Sequence, residues 1–455
     1  MKILCYVRPW NKRQIISIVE NAFPRAQVNY LGDFLNLGGE NLQEKFYIKY
    51  EQLAKEIDFS KFNISHETVN EIILRCRLLR SLDRSTSYRM IAAMLLSVRE
   101  VFESTKPDLF ISLTVDSYVM HIMSHVSKER NITYFGFVPN FINGYFRLTE
   151  KGEYRRLSSP SFSDINKVYK NIVRKKQRSI FLVDVNSQTD VAKVILKSTL
   201  KNALRSLYFS IVMLFTNDKL NYHYLVSRKF LKINFNFNSM RTASTSVLKK
   251  TAIRKMYVPL QYFPEATVDY WTEDLKLIDY ENLVLEMLVR LSKLQDSIIY
   301  VKEHPSMLGI RSESFYSEIN LLPNVYMLPV TCTIYDIIDY VDSAIVWTGS
   351  AGFEAALYGK QVFHFGSPYY VPNDHKLFTY CQDIDALLED ISNYSPNRNI
   401  ISKDSQLYLI EYILSSCLKG NFKQPKRGRY GEWIFDQNDI ESLSRSLSVY
   451  YKSIS

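Results

Sequence analysis

The chain has 455 residues, an ordinary apolar share of 46% and a formal net charge of +10. That length argues against a single core and for two domains, and five scattered cysteines without a CxxC pair argue against a disulfide framework or a zinc site. The polar start MKILCYVRPWNKRQ does not read as a cleavable leader, and LYFSIVMLF at 207–215 is far short of the about 20 apolar residues a bilayer span needs.

In chain order, KILCYVR reads as a buried strand, NKRQIISIVENAF as an amphipathic helix and AQVNYLG as a second strand. PDLFISL, VMHIMSHVSKE and ITYFGFVPN repeat the strand–helix–strand pattern further on. Such alternation predicts a parallel sheet covered by helices over about 1–155. No GxGxxG follows the first strand, so a dinucleotide fingerprint is missing.

From 156 to 253 strand signals fade and basic helical patterns take over. Residues 161–253 hold 17 Lys or Arg against 4 Asp or Glu. Lys193, Lys197, Lys201 and Arg205 recur every fourth residue, with Val194, Ile195, Leu204, Leu207, Tyr208 and Ile211 elsewhere on the helix. A block of this kind fits an acidic partner, an anionic membrane surface or a solvated face. RTASTSVLKK reads as a linker.

The α/β rhythm returns over 254–385, with strands at KMYVPLQYF, SIIYVKEHP, NVYMLP, SAIVW and QVFHFG. Helices fall between them at LVLEMLVRLSKLQ, TIYDIIDYV and GFEAALYG, and the tail 386–455 reads as helices. The predicted class is α/β and GT-B-like: two Rossmann-like domains facing a cleft, with a basic helical segment between them.

In open α/β sheets ligands lie beyond the carboxyl ends of the strands, so the loops there are the candidates. One loop carries Gln261, Glu265, Thr267 and Asp269, and a second carries Lys302, His304, Pro305 and Arg311. The third, TGSAGFEAALYG, carries Thr348, Gly349, Ser350, Gly352 and Glu354. Gly349 and Gly352 allow close backbone approach, and amides at the start of the following helix suit an anion. Glu354 can accept ribose hydroxyls, and Gly359 can end the helix in the left-handed region. The same letters also fit a tight strand–helix turn with a favourable first-turn carboxylate. His304, after a strand and before Pro305, can donate to a phosphate. In the first half Asp116 follows a strand as a base, a nucleophile or a helix cap. Arg147, Glu150 and Glu153 are further cleft candidates. Glu265 is a second candidate acid or base.

The run PLQYFPEAT, VKEHP and DSAIVWTGSAGFEAALYGKQVFHFG resembles the capsule and surface polysaccharide biosynthesis family, which includes the bacterial Kdo transferases of the GT-B type. The resemblance covers roughly 254–375. It implies a glycosyltransferase that uses a nucleotide-sugar donor, CMP-Kdo in the Kdo members, to build capsule, O-antigen or a related glycan. It places His304 and Pro305 at the nucleotide phosphate, Ser350 with the amides near Gly349 and Gly352 around it, and Glu354 at the ribose or sugar. Without a DxD motif or a His/Cys cluster, no metal or other cofactor is expected. The expected site of action is the cytoplasm, at the inner membrane face, with the basic segment on anionic lipids or a lipid-linked acceptor. A sugar-nucleotide epimerase or a polyol-phosphate transferase on the same scaffold is the alternative. The basic residues form no nucleic-acid-binding motif, so no nucleic acid is expected.

Overall fold

The structure is a computed structural model and describes residues 1–34, 37–179, 185–216, 218–230, 242–263, 266–373, 375–396, 401–428 and 432–454. The chain forms two compact units. The first comprises Met1–Pro160, Thr216–Leu225 and Leu414–Ser455; the second comprises Ser161–Phe215 and Val226–Ile413.

Strands β1 (Lys2–Tyr6), β2 (Gln27–Gly32), β3 (Glu40–Asn41), β4 (Leu109–Leu113), β5 (Thr133–Pro139) and β6 (Tyr145–Leu148) build the first unit's sheet. Helices α1 (Lys12–Ala22), α2 (Leu42–Gln52), α3 (His66–Arg75), α4 (Arg84–Thr105) and α5 (Tyr118–Glu129) connect them. Four core strands, in the order β5-β4-β1-β2, pair in parallel. Ile3, Leu4 and Cys5 of β1 are fully buried, as expected of a parallel strand covered on both faces. Connections diverge on either side of β1, so the switch point lies between β1 and β4.

The middle of the chain does not stand apart. Helices α6 (Phe162–Tyr169) and α7 (Gln188–Phe215) belong to the second unit, whereas the start of α8 (Tyr222–Phe230) belongs to the first. The reason is packing that composition hides. Val191, Val194 and Ile195 pack with the buried Val185, Leu308 and Val330. In the first unit Asp218 accepts from Gln43 Nε2 and Tyr47 Oη at 2.7 and 3.0 Å, and Asn221 Nδ2 donates to the Asp33 carbonyl at 2.7 Å.

The second unit holds a six-stranded sheet, all parallel. Its strands are β7 (Arg254–Pro259), β8 (Ser297–Lys302), β9 (Val325–Leu328), β10 (Ser343–Val346), β11 (Gln361–His364) and β12 (Phe378–Tyr380). Their order is β12-β11-β10-β7-β8-β9, which puts the switch point between β7 and β10. Helices α9 (Ala266–Asp269), α10 (Tyr280–Leu291), α11 (Glu313–Leu321), α12 (Ile334–Ile337), α13 (Ala351–Leu357), α14 (Ile384–Asn393) and α15 (Lys403–Ser415) complete it. Val284, Met287, Leu288 and Leu291 of α10, spaced at three and four, pack on Ile299 and Val301 of β8.

The tail returns to the first unit. The short strand β13 (Leu418–Lys419) joins β6 antiparallel, and α16 (Gln437–Ile454) seats Ile440, Leu443 and Leu447 in the core that holds Ile15, Ile18 and Val19. Both units are thus Rossmann-like, as the alternation predicts. All five cysteines are free and buried. Among the described residues, no helix is long and apolar enough to cross a membrane.

Candidate functional site

Three polar loops leave the neighbouring strands β10, β7 and β8 at their carboxyl ends. Pro259, the last residue of β7, pairs in register with Lys302, the last of β8. The loops the sequence singles out are therefore brought together within one unit.

Several of their side chains are struts that tie one loop to another. Gln261 is a strut: its Nε2 donates to Thr348 Oγ1, and its Oε1 accepts from the Thr348 amide, both at 3.0 Å. Thr348 Oγ1 donates to the Thr267 carbonyl at 2.8 Å. Gln261 and Thr348 are buried, so they tie two loops together rather than face a ligand.

Arg311 is also internal, with its side chain 0% exposed. Its Nε lies 2.8 Å from Glu303 Oε2, its Nη1 2.6 Å from Glu281 Oε1 and its Nη2 2.8 Å from the Gln261 carbonyl. Glu303, which sequence reasoning passed over, is equally buried and accepts from Tyr316 Oη and from the His304 amide at 2.7 and 2.6 Å. This network fixes the His304 turn from beneath. Arg311 is spent on it and is not available to a donor.

His304 caps a short 3-10 turn that begins at Pro305. Its Nδ1 accepts from the Ser306 amide at 3.2 Å. Burial lowers the imidazole to about 4, so it is neutral near pH 7. With Nδ1 accepting, the remaining proton sits on Nε2, which makes that nitrogen a donor.

The third loop corrects two expectations. A Cβ on Gly352 would come 2.5 Å from Tyr370 Oη and 3.0 Å from a Val346 methyl. The small residue serves helix–strand packing, not phosphate approach. Helix α13 has only seven residues, so its dipole is a weak anion anchor. A Cβ on Gly349 would meet Gln261 Cγ at an ordinary 3.4 Å, and the Gly349 carbonyl accepts from Tyr370 Oη at 2.6 Å. Ser350 is the half-buried N-cap and makes no side-chain cap bond. Gly359 does follow the helix end at φ +74°.

Positive charge at this end of the sheet comes instead from Lys302 and from Arg178, a residue of the basic stretch that sequence reading left unassigned. Both lie near Glu354 in the first turn of α13. Burial raises the Glu354 carboxyl to about 7 against the opposing pull of Lys302 and Arg178. Burial lowers the Lys302 ammonium to about 8, and Arg178 adds to the effect. Tyr335, beside Glu354 and Arg178, is buried, and its hydroxyl has no hydrogen-bond partner among the described residues. An unfilled hydroxyl beside two cations and a weak acid is a setting for a polar, anionic ligand.

The two titrations act in one direction on an anion. Below about pH 7 Glu354 is uncharged and Lys302 is charged; above about pH 8 the reverse holds. Affinity for an anionic ligand should therefore fall as pH rises from about 6.5 to 9, and Glu354→Gln should remove the lower of the two breaks. Calorimetric titration across that range checks this. A flat wild-type profile would show that neither group faces the anion.

In the first unit Arg8 follows β1 and Asp116 follows β4, on either side of the switch point. Arg8 donates to both carboxylate oxygens at 2.7 and 2.5 Å. Burial opposes ionisation of Asp116, but Arg8 outweighs it and holds the group below the usual carboxylate range. A carboxylate so held is a poor proton acceptor, so the base role expected of Asp116 is not favoured. Asp33 after β2 stands 3.3 Å from His223 Nε2, both buried. The rule that pointed to Asp116, a polar residue just past a strand, also points to Arg8 and Asp33; His223 had no such signal.

Three other candidates are internal ties. Arg147 Nη2 donates to the Glu153 carbonyl at 2.6 Å, Glu150 accepts from Ser124 and Lys128, and Glu153 accepts from Thr149 Oγ1 at 2.6 Å. Asp269 is buried in α9. Glu265 lies outside the described residues. Among the described residues no group of three or more His, Cys, Asp or Glu is placed to hold a metal ion.

Two Rossmann-like units in one chain, with charged side chains gathered at strand ends beside a switch point, define an α/β protein whose candidate ligand site lies at the carboxyl ends of the strands. Residues 215–373 match the family described as capsule polysaccharide biosynthesis protein, which bears out the resemblance carried by the second-half motifs. Among solved structures, the chain is similar to the β-Kdo 2,4 transferase of Thermosulfurimonas dismutans KpsC, at 13% identity over 98% of each chain with a TM-score of 0.39. It is similar to the β-Kdo 2,7 transferase of the same protein at 14% identity, over 98% of this chain and 99% of that one, with a TM-score of 0.37. A UDP-GlcNAc 2-epimerase of Methanocaldococcus jannaschii matches at 11% identity, over 90% and 98%, with a TM-score of 0.26. No curated protein matches the chain.

Proposed function

We propose that the protein is a glycosyltransferase that moves a sugar from a nucleotide-activated donor to a capsule, O-antigen or related surface glycan. The observation that carries this reading is the gathering of Lys302, neutral His304, Glu354 and Arg178 at the strand ends of a unit whose motifs match the capsule family. Departure of a nucleotide leaves negative charge on phosphate oxygen. Lys302, Arg178 and the His304 Nε2 proton can stabilise that charge as it develops, and Ser350 offers a hydroxyl beside it. Glu354 accepts a hydroxyl of the ribose or sugar. These groups work without a metal, so transfer should survive EDTA. Asp116, fixed by Arg8, contributes a standing negative charge or a nucleophile in the first unit. The acceptor is a glycan or a lipid-linked glycan, met at the inner face of the cell membrane, where the basic stretch contacts anionic lipid.

A thermal-shift screen with CMP, UDP, GDP and dTDP tests the reading, since a nucleotide held by the native state raises Tm. One base should give a clear shift, and CMP-Kdo is among the donors to try next. If none of the four moves Tm, the donor-site assignment fails.

A further inference from the structure

Helix α7 is apolar on two faces. One face is met by its own unit, with Ile195 against Leu308 and Val330, and Thr199, Asn202 and Met213 buried further along. The other face is bare. Leu196, Leu200, Leu207, Ile211, Leu214 and Phe215 are all exposed, with Leu214 and Phe215 at 80% and 85%. At 100° per residue these six fall within about 100° of one another. Ser187 starts the helix by accepting from the Asp190 amide at 3.2 Å. After Asp190 no acidic residue appears until Asp218, while Lys193, Lys197, Lys201 and Arg205 are exposed along the first half. The guanidinium of Arg205 sits 5.5 Å from the Phe209 ring, and Tyr208 lies exposed beside it.

We propose that α7 is an interfacial helix: it lies in the plane of an anionic bilayer surface, inserts its bare leucine stripe, and sets its cations among the headgroups. Charge selects this occupant. At 100° per residue Lys193 and Lys197 fall on the stripe's own arc at its start and Lys201 and Arg205 border it, while Leu207 to Phe215 carries no charge; with tyrosine and phenylalanine at that apolar end, the surface complements an anionic headgroup layer over an acyl layer. A second copy of the same helix would bring like charges together. With 28 residues broken by four cations, the helix is built to lie along a membrane and not to span it. The proposal deepens the lipid-contact part of the function proposed above, and naming the apolar stripe takes it beyond simple attraction of a basic block.

Co-sedimentation with vesicles of phosphatidylcholine alone, or mixed with phosphatidylglycerol, tests it. The full chain should bind the mixed vesicles, less so as salt rises. Lys197→Glu with Lys201→Glu should weaken that binding about thirtyfold or more, from roughly 1 kcal/mol for each cation lost. Leu207→Gln with Leu214→Gln leaves every charge in place and should lose at least about tenfold. Both pairs lie on the exposed surface and should leave the melting temperature and the nucleotide-induced shift unchanged. Loss of that shift in the wild type sinks the transferase reading and not this one. The proposal is overturned if the wild type ignores the mixed vesicles, or if the leucine pair binds them as the wild type does. It is also overturned if the wild type is a dimer that the leucine pair converts to monomer, because the stripe then belongs to a second copy.

Discussion

Replacing Arg311 with methionine should lower the stability of the second unit by about 3–5 kcal/mol, more than other single changes near the site. The guanidinium is fully enclosed and answers two carboxylates and the Gln261 carbonyl. Methionine fills much of the volume but leaves Glu303 buried with, among the described residues, only Tyr316 Oη and the His304 amide hydrogen-bonded to its carboxylate. An uncompensated buried carboxylate is far more costly than the pair is stabilising. The double variant Glu303→Gln, Arg311→Met removes both charges and should recover a large part of the loss. Calorimetric unfolding of the three proteins checks this. A single-variant cost below about 1 kcal/mol would mean that the pair is less buried than the structure has it. The same experiment separates scaffold from site, because a donor-binding arginine would change affinity and leave unfolding nearly unaltered.

The contrast between Arg311 and Lys302 shows where the sequence is legible. Strands β7 to β11 of the second unit are short, largely buried apolar runs, so their positions and parallel direction follow from pattern, whereas the partly exposed edge strand β12 does not. The loops at their ends follow from the same pattern, and His304 with Pro305 sits where the turn chemistry predicts. What pattern does not carry is the partner of each side chain. Arg311 reads as a free cation until Glu281, 30 positions away, is seen beside it. Asp116 reads as a base until Arg8, 108 positions away, is seen to hold it. Gly352 reads as a phosphate glycine because a missing Cβ looks the same in sequence whether it clears a ligand or Tyr370. The basic stretch misleads for the converse reason: composition averages Arg178, the tie at Asn221 and the bare stripe of α7 into one charge count. Each does something different once placed.

Replacing His304 with alanine should cost about a hundredfold in kcat/KM, or about 2.7 kcal/mol, the size expected for one donor to developing charge in a preorganised site. The imidazole is held neutral by burial, and its tautomer is set by the Ser306 amide. On the proposed reading it therefore acts as a fixed Nε2–H donor and not as a titrating acid. Two consequences follow. The histidine contribution should be constant from about pH 5 upward, so the wild-type and His304→Ala profiles should run parallel, both shaped by Lys302 and Glu354. His304→Gln should recover part of the loss, since a glutamine amide can place an N–H near the Nε2 position, whereas His304→Asn keeps the acceptor for Ser306 but is too short to replace the donor. Steady-state kinetics with the donor found by thermal shift decide the matter. If asparagine rescues and glutamine does not, His304 acts only by holding its own turn, and charge on the departing phosphate must be met by Lys302 and Arg178 alone.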